Sequence, residues 1–207
     1  MPSRYRLRRV FRPLVQGVSR VFIKFHFSPN SISVLSFFVM CLAGLLLFLF
    51  NLFTLYGLLV FFGGLLDGVD GEVARRTGRT SQRGGFLDSF LDRLADIVVL
   101  LPFLCIPNPF PSLGPSWIWV FLATTGCILV SYTRSRATAA GATDTDVGLG
   151  GRSERLFLLV VTALLHPFNP VMPYVGLLLM TPLSHLTVLY RVLVYHNRLQ
   201  PAVIAKT

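Results

Sequence analysis

Charge is scarce in this sequence: only 14% of its 207 residues are charged, where soluble domains carry about a quarter. That shortage, with 53% hydrophobic residues and 18 phenylalanines, excludes an ordinary soluble domain. Cysteine is almost absent. Cys41, Cys105 and Cys127 lie singly within apolar runs, which excludes a disulfide framework and a zinc-binding spacing. His26, His166, His185 and His196 are scattered and lack metal-ligand spacing too. No cleavable signal peptide is read: the first 27 residues hold seven basic residues but no short apolar core with a small-residue cleavage site. Low-complexity tracts and internal repeats are likewise missing.

What the chain does have is long apolar runs, at roughly 31–50, 55–75, 86–106, 116–135, 155–168 and 172–195. Each of these has the composition of a membrane span, and the fifth is the shortest. Turns fall at Asn51, at 107–115 and at 166–173, where proline removes backbone donors. The Arg-rich stretch 76–85 and the Gly/Asp-rich stretch 140–153 form the other two connections. In this layout all 19 Lys and Arg residues fall on one side. The positive-inside rule makes that side cytoplasmic, with both termini inside.

The expected fold is an all-α integral membrane protein of six transmembrane helices, with an N-terminal interfacial amphipathic helix. Residues 1–27 form the juxtamembrane segment, 28–200 the six-span domain and 201–207 a C-terminal tail. Along 4–25, Val10, Leu14, Val18, Phe22 and Phe25 recur at helical spacing among basic residues. Such a helix lies at the membrane surface, drawn to anionic head groups, or serves only as a topology anchor. The basic excess is thereby assigned to lipid, and no nucleic-acid partner is expected.

Nine acidic residues are present, and six of them, Asp67, Asp70, Glu72, Asp88, Asp92 and Asp96, lie between positions 67 and 96. They occupy the cytoplasmic end of the second span and the start of the third. A carboxylate within a span costs on the order of 2.5–3.5 kcal/mol, so several together need bound cations or arginine partners. Asp67 and Asp70 share one helix face, and Asp88, Asp92 and Asp96 stack along another. Antiparallel helices bring these faces together. An all-oxygen cluster suits Mg²⁺ or Mn²⁺ better than zinc, and four converging carboxylates suffice for two divalent ions. Gly64 and Gly68 permit close helix contact, whereas Gly71 and Gly84, flanked by acids and Arg75, leave room for a bulky phosphorylated ligand. Asp96 reads as an outer residue paired with Arg93.

The segment Asp67-x-x-Asp70-Gly71-x-x-Ala74-Arg75, then eight residues, then Gly84-x-x-x-Asp88-x-x-x-Asp92, resembles the signature of the CDP-alcohol phosphotransferase family at every fixed position. Ser28-Pro29-Asn30 before the first span fits the same pattern. The resemblance implies an enzyme of phospholipid biosynthesis that displaces CMP from a CDP-linked lipid by an acceptor hydroxyl, and a homodimer. It implies that Asp67, Asp70, Asp88 and Asp92 bind two divalent ions and that Asp92 is the general base. Asp67, Gly71, Ala74, Arg75 and Gly84 line the CDP site.

Asp92-Arg93, Ser131–Arg136 and Arg152–Leu156 together resemble the branch that makes phosphatidylinositol phosphate, or its archaeal ether-lipid counterpart, from inositol 1-phosphate. In that branch Arg134, Arg155 and Arg191 correspond to residues that bind the acceptor's phosphate. As topology residues alone, the same arginines satisfy the positive-inside rule equally well. Glycerol-3-phosphate is an alternative acceptor. So is serine, although Ile97–Leu100 departs from that branch's pattern. Glu72 resembles members that use CDP-inositol as donor. A different class, an ion or proton transporter built on buried acids, needs polar residues continuing across the membrane. Leu55–Phe62 and Val98–Leu104 are apolar instead.

Overall fold

The computed structural model describes residues 10–142 and 147–199. Arg4, Arg6, Arg8 and Arg9, the tail 201–207 and the middle of the glycine-rich loop lie outside them. Among the described residues seven α-helices run in the order α1 Arg12–Lys24, α2 Pro29–Phe50, α3 Phe53–Thr77, α4 Gln82–Leu100, α5 Ser116–Ala139, α6 Arg152–Leu164 and α7 Met172–Arg198. Short 3₁₀ turns at Leu101–Leu104 and Pro111–Leu113 complete the described residues, which include no strand.

Local chemistry sets the helix ends. Ser28 caps α2, its Oγ accepting from the Ser31 N–H at 3.1 Å, with Pro29 in the first turn where no donor is needed. Asn51, at φ 53°, stops α2 in the left-handed conformation, and Gly78, at φ 66°, stops α3. Ser81 then caps α4 by accepting from the Gly84 N–H at 3.0 Å. The connection between the two acid-bearing helices is therefore a tight stop-and-start of four residues, 78–81.

Close approach of helices rests on small residues. A Cβ on Gly44 of α2 would meet the Val98 carbonyl oxygen of α4 at 2.8 Å, and one on Gly126 of α5 would meet Ser184 of α7 at 2.7 Å. Met40, Leu47, Tyr56, Val60, Val99, Leu159 and Leu177 fill the core between them. Tyr56, buried in that core, donates its hydroxyl to the Val99 carbonyl at 2.9 Å. Gly64 faces only an ordinary contact with Leu156, and Gly68 lies against Val15 of α1.

Helix α1 packs Val15, Val18, Phe22 and Ile23 against Ile32, Leu66, Val69 and Val73. The apolar residues expected to form one face thus divide. Val18 and Phe22 meet protein, while Val10, Leu14 and Phe25 are exposed.

Among the described residues four helices, α2, α3, α5 and α7, are long and apolar enough to cross a membrane. Exposed Phe38, Leu45 and Phe48 on α2 and Leu186, Leu189 and Leu193 on α7 have the character of lipid-facing side chains. The expected third and fifth spans differ in kind. Helix α4 carries Arg83, Asp88, Asp92, Arg93 and Asp96, and past Leu100 it continues as a 3₁₀ turn at Pro102. Helix α6 has 13 residues, a rise of about 20 Å against an apolar thickness of about 30 Å.

Candidate active site

Helices α3 and α4 both pack along α2, and their acidic faces look into the space between them. Asp67 enters from α3, Asp88 and Asp92 from α4, and Ser33, Ser36 and Phe37 line the same pocket from α2, while Asp70, one turn on from Asp67, is buried. One carboxylate oxygen from each of Asp67, Asp70 and Asp88 falls within 4.8 Å of the others.

An ion bonded to oxygen at about 2.1 Å places opposite ligands about 4.2 Å apart, so a small inward rotation brings the three carboxylates onto one Mg²⁺ or Mn²⁺. The donor set is hard and anionic, and neither Cys nor His belongs to it. These residues therefore fit a divalent ion.

Asp70 is fixed from both sides. Ser33 donates its hydroxyl to Oδ2 at 2.5 Å, and the Gly71 N–H donates to Oδ1. Ser36 reaches across to the Gly63 carbonyl at 2.8 Å, tying the same face of α2 to α3. Neither serine figured in the sequence reading. The available signal was a run of hydroxyls, Ser28, Ser31, Ser33 and Ser36, at one end of an otherwise apolar span.

Arg152 supplies the cation at this site. Its Nη1 lies 2.7 Å from Asp67 and 2.6 Å from Asp92, and its Nε donates to Asp96 at 3.1 Å. Arg155 donates to the other Asp96 oxygen at 3.1 Å. The pairing expected between Asp96 and Arg93 is therefore corrected: Arg93 donates to the Ser89 carbonyl and stands 3.8 Å from Asp92. Asp96 is buried one turn deeper than Asp92, and the two α6 arginines reach it from across the site.

The other signature residues lie on the outer turns of α3 and the first turn of α4. A Cβ on Gly84 would meet Asn30 Oδ1 and Ser81 Oγ at 3.1 Å, so the absent side chain is what lets these three residues close up. Ala74 is half-buried, and Arg75 is exposed. Glu72 accepts from Arg75 at 2.9 Å and from Arg76 at 2.7 Å, an ion-pair role on the outer turn of α3.

Of the three arginines expected to meet an acceptor phosphate, Arg134 is exposed near the end of α5. Arg155 and Arg191 are buried, with guanidinium groups engaged by protein. Arg155 donates to the Gly150 carbonyl at 2.9 Å as well as to Asp96, and Arg191 donates to the carbonyls of Val147 and Val130.

This is an all-helical membrane protein whose carboxylates converge from two helices on one polar pocket. The chain belongs to the CDP-alcohol phosphatidyltransferase family, whose model matches residues 26–190, and it is accordingly a transferase of phospholipid biosynthesis. It is 33% identical over 194 residues to archaetidylinositol phosphate synthase of Pyrococcus horikoshii, covering 93% of this chain and 95% of that one. Its fold is similar to that of phosphatidylinositol phosphate synthase of Mycobacterium tuberculosis. With CDP-DAG bound, that crystal structure superimposes with a TM-score of 0.77 at 24% identity, covering 94% of this chain and 98% of that one. The same protein in complex with manganese and citrate gives a TM-score of 0.77 at 24% identity, over 93% of each chain.

Proposed function

We propose that this protein transfers the phospholipid moiety of a CDP-activated lipid to the hydroxyl of inositol 1-phosphate and releases CMP. The observation that carries the proposal is the convergence of Asp67, Asp70 and Asp88 beside Asp92, in a signature shared with enzymes acting on CDP-alcohols. The relative from P. horikoshii bears the name of an inositol-phosphate lipid synthase, which supports the acceptor.

In this reading Asp67, Asp70, Asp88 and Asp92 hold two divalent ions. Bound there, the ions supply charge that neutralises the pyrophosphate and makes CMP a competent leaving group. Gly71, Ala74 and Gly84 line the CDP site together with Asp67, and Arg75 presents a planar fork to phosphate oxygens. Ser33 fixes the Asp70 carboxylate from α2.

Asp92 accepts the proton of the acceptor hydroxyl as its oxygen bonds to the lipid-bearing phosphorus and the bond from that phosphorus to CMP breaks. A carboxylate is a weak base, so placement counts for more here than basicity. Arg134 on α5, Arg155 on α6 and Arg191 on α7 bind the acceptor phosphate.

The proposal extends to six spans, formed by α2 to α7, with α1 at the membrane interface. Both termini and the active site face the cytoplasm, as the one-sided placement of Lys and Arg supports. The working form is a homodimer.

The test is an acceptor panel. Purified protein with Mn²⁺ or Mg²⁺ and a CDP-lipid is offered inositol 1-phosphate, glycerol-3-phosphate, serine and inositol. The expected result is a phosphorylated inositol lipid from the first alone. Turnover with glycerol-3-phosphate and none with inositol 1-phosphate overturns the acceptor assignment.

A further inference from the structure

The position of Arg152 bears on how the site is loaded. Its Nη1 lies 2.7 Å from Asp67 Oδ1 and 2.6 Å from Asp92 Oδ1. Yet Nη1 makes no hydrogen bond, although it is buried. The contact is that of a point charge between two anions, not of a directed donor. A divalent ion held by the same two carboxylates would bring its charge to where the guanidinium stands, and the two cations would then compete for those acids.

The arginine is also held in place from behind. Arg155 donates to the Gly150 carbonyl at 2.9 Å, and the Gly150 N–H donates to Thr187 Oγ1 at 3.0 Å. Arg191 donates to the Val147 carbonyl at 2.9 Å. These bonds dock the segment before α6 on α7, so the first residue of α6 delivers its guanidinium to the acids from a fixed base. The three-carboxylate group of Asp67, Asp70 and Asp88 shares Asp67 with Arg152 but includes neither of its α4 partners, Asp92 and Asp96.

We propose that Arg152 is a built-in competitor for the divalent ion shared by Asp67 and Asp92, so that the two ions bind unequally and in order. The first enters at Asp67, Asp70 and Asp88 with Arg152 in place. The second enters only as the Arg152 guanidinium withdraws, which frees that cation at the site when the metal centre is complete. This inference rests on the two-ion reading above and adds the order of loading to it.

Manganese titration of the full-length protein in detergent, followed by electron paramagnetic resonance of unbound Mn²⁺, tests it. Wild type shows a strong and a weak site. Arg152→Gln tightens the weak site by at least about tenfold and leaves the strong one within about threefold, because it removes the occupant of that point. Arg93→Gln removes an equal charge 3.8 Å from Asp92 without vacating the bridging position, and its weak site changes by less than about threefold.

Equal gains in both variants, or no gain in Arg152→Gln, overturn the proposal. A second measurement needs no substitution: phenylglyoxal modification of Arg152, mapped by mass spectrometry, rises when wild type is saturated with Mn²⁺. Unchanged or reduced modification contradicts the exchange. If the proteins bind no Mn²⁺ at all, the two-ion reading falls, and the competitor role with it. Two equally tight ions in wild type leave the two-ion reading standing and overturn only the competition.

Discussion

Asp70 depends on a hydroxyl from a different helix. Ser33 holds Oδ2 at 2.5 Å from α2, while the backbone of Gly71 holds Oδ1. Partners of this kind orient a metal ligand, and their loss lowers metal affinity or activity by about 10–100-fold. Ser33→Ala is therefore expected to raise the Mn²⁺ concentration needed for half-maximal turnover by about that factor, while excess metal restores most of kcat. Full activity at unchanged metal demand would show that Asp70 needs no such support.

Asp88→Asn removes a proposed metal ligand, and Asp92→Asn removes the proposed general base. Each is expected to lower CMP release by about 10³-fold or more, with the thermal unfolding midpoint little changed. Near-normal turnover in either variant removes the role given to that residue. Arg152 was the residue hardest to assign from sequence. It sits at the end of a glycine-rich loop where spacing is loose, and as a basic residue at a span's cytoplasmic end it already had an ordinary explanation. Only its distances to Asp67 and Asp92 separate the two readings.

Among the elements, the pair α2–α4 is the least forgiving. Gly44 approaches the Val98 carbonyl so closely that any Cβ arrives at 2.8 Å, against backbone that cannot swing aside. Gly44→Val is expected to destabilise the protein by about 1–3 kcal/mol, read as a lower unfolding midpoint in detergent. The same displacement moves Asp88 and Asp92 relative to Ser33, so activity falls as well. A variant with the wild-type midpoint would mean that the helices have slack at this crossing.

Helix positions were largely legible because proline, Asn51 and the Arg-rich stretch 76–85 punctuate long apolar runs, whereas the Ser28 and Ser81 caps and the left-handed stop at Gly78 came from the structure. The ends of α4 and α6 were less so. Apolar residues continue through Leu101–Leu104, but Pro102 turns them into a 3₁₀ segment. Helix α1 was legible as a helix, but which of its faces meets protein was not, because amphipathic spacing alone does not choose between Val69 and lipid.

At the scale of the whole molecule, the site exists because one helix serves two others. Helix α2 gives α3 and α4 a common packing surface, its serines fix both the backbone of Gly63 and the carboxylate of Asp70, and the acids are left facing a gap. The cluster itself could be read from spacing, since Asp67/Asp70 and Asp88/Asp92 had to share faces. What spacing could not give was the answering charge: α6 begins 56 positions after Asp96, yet its first residue reaches that carboxylate. Contacts of that separation are a property of the fold, and no local pattern reports them.

In the proposed function, acids are tolerable within apolar helices because cations join them and grip a nucleotide diphosphate. The most direct test is CMP release from CDP-diacylglycerol and inositol 1-phosphate by the purified protein, measured after chelation with EDTA and again after addition of Mn²⁺ or Mg²⁺. The expected result is loss of release on chelation and its return with either ion. Release that persists undiminished in EDTA, or that no divalent ion restores, contradicts the account.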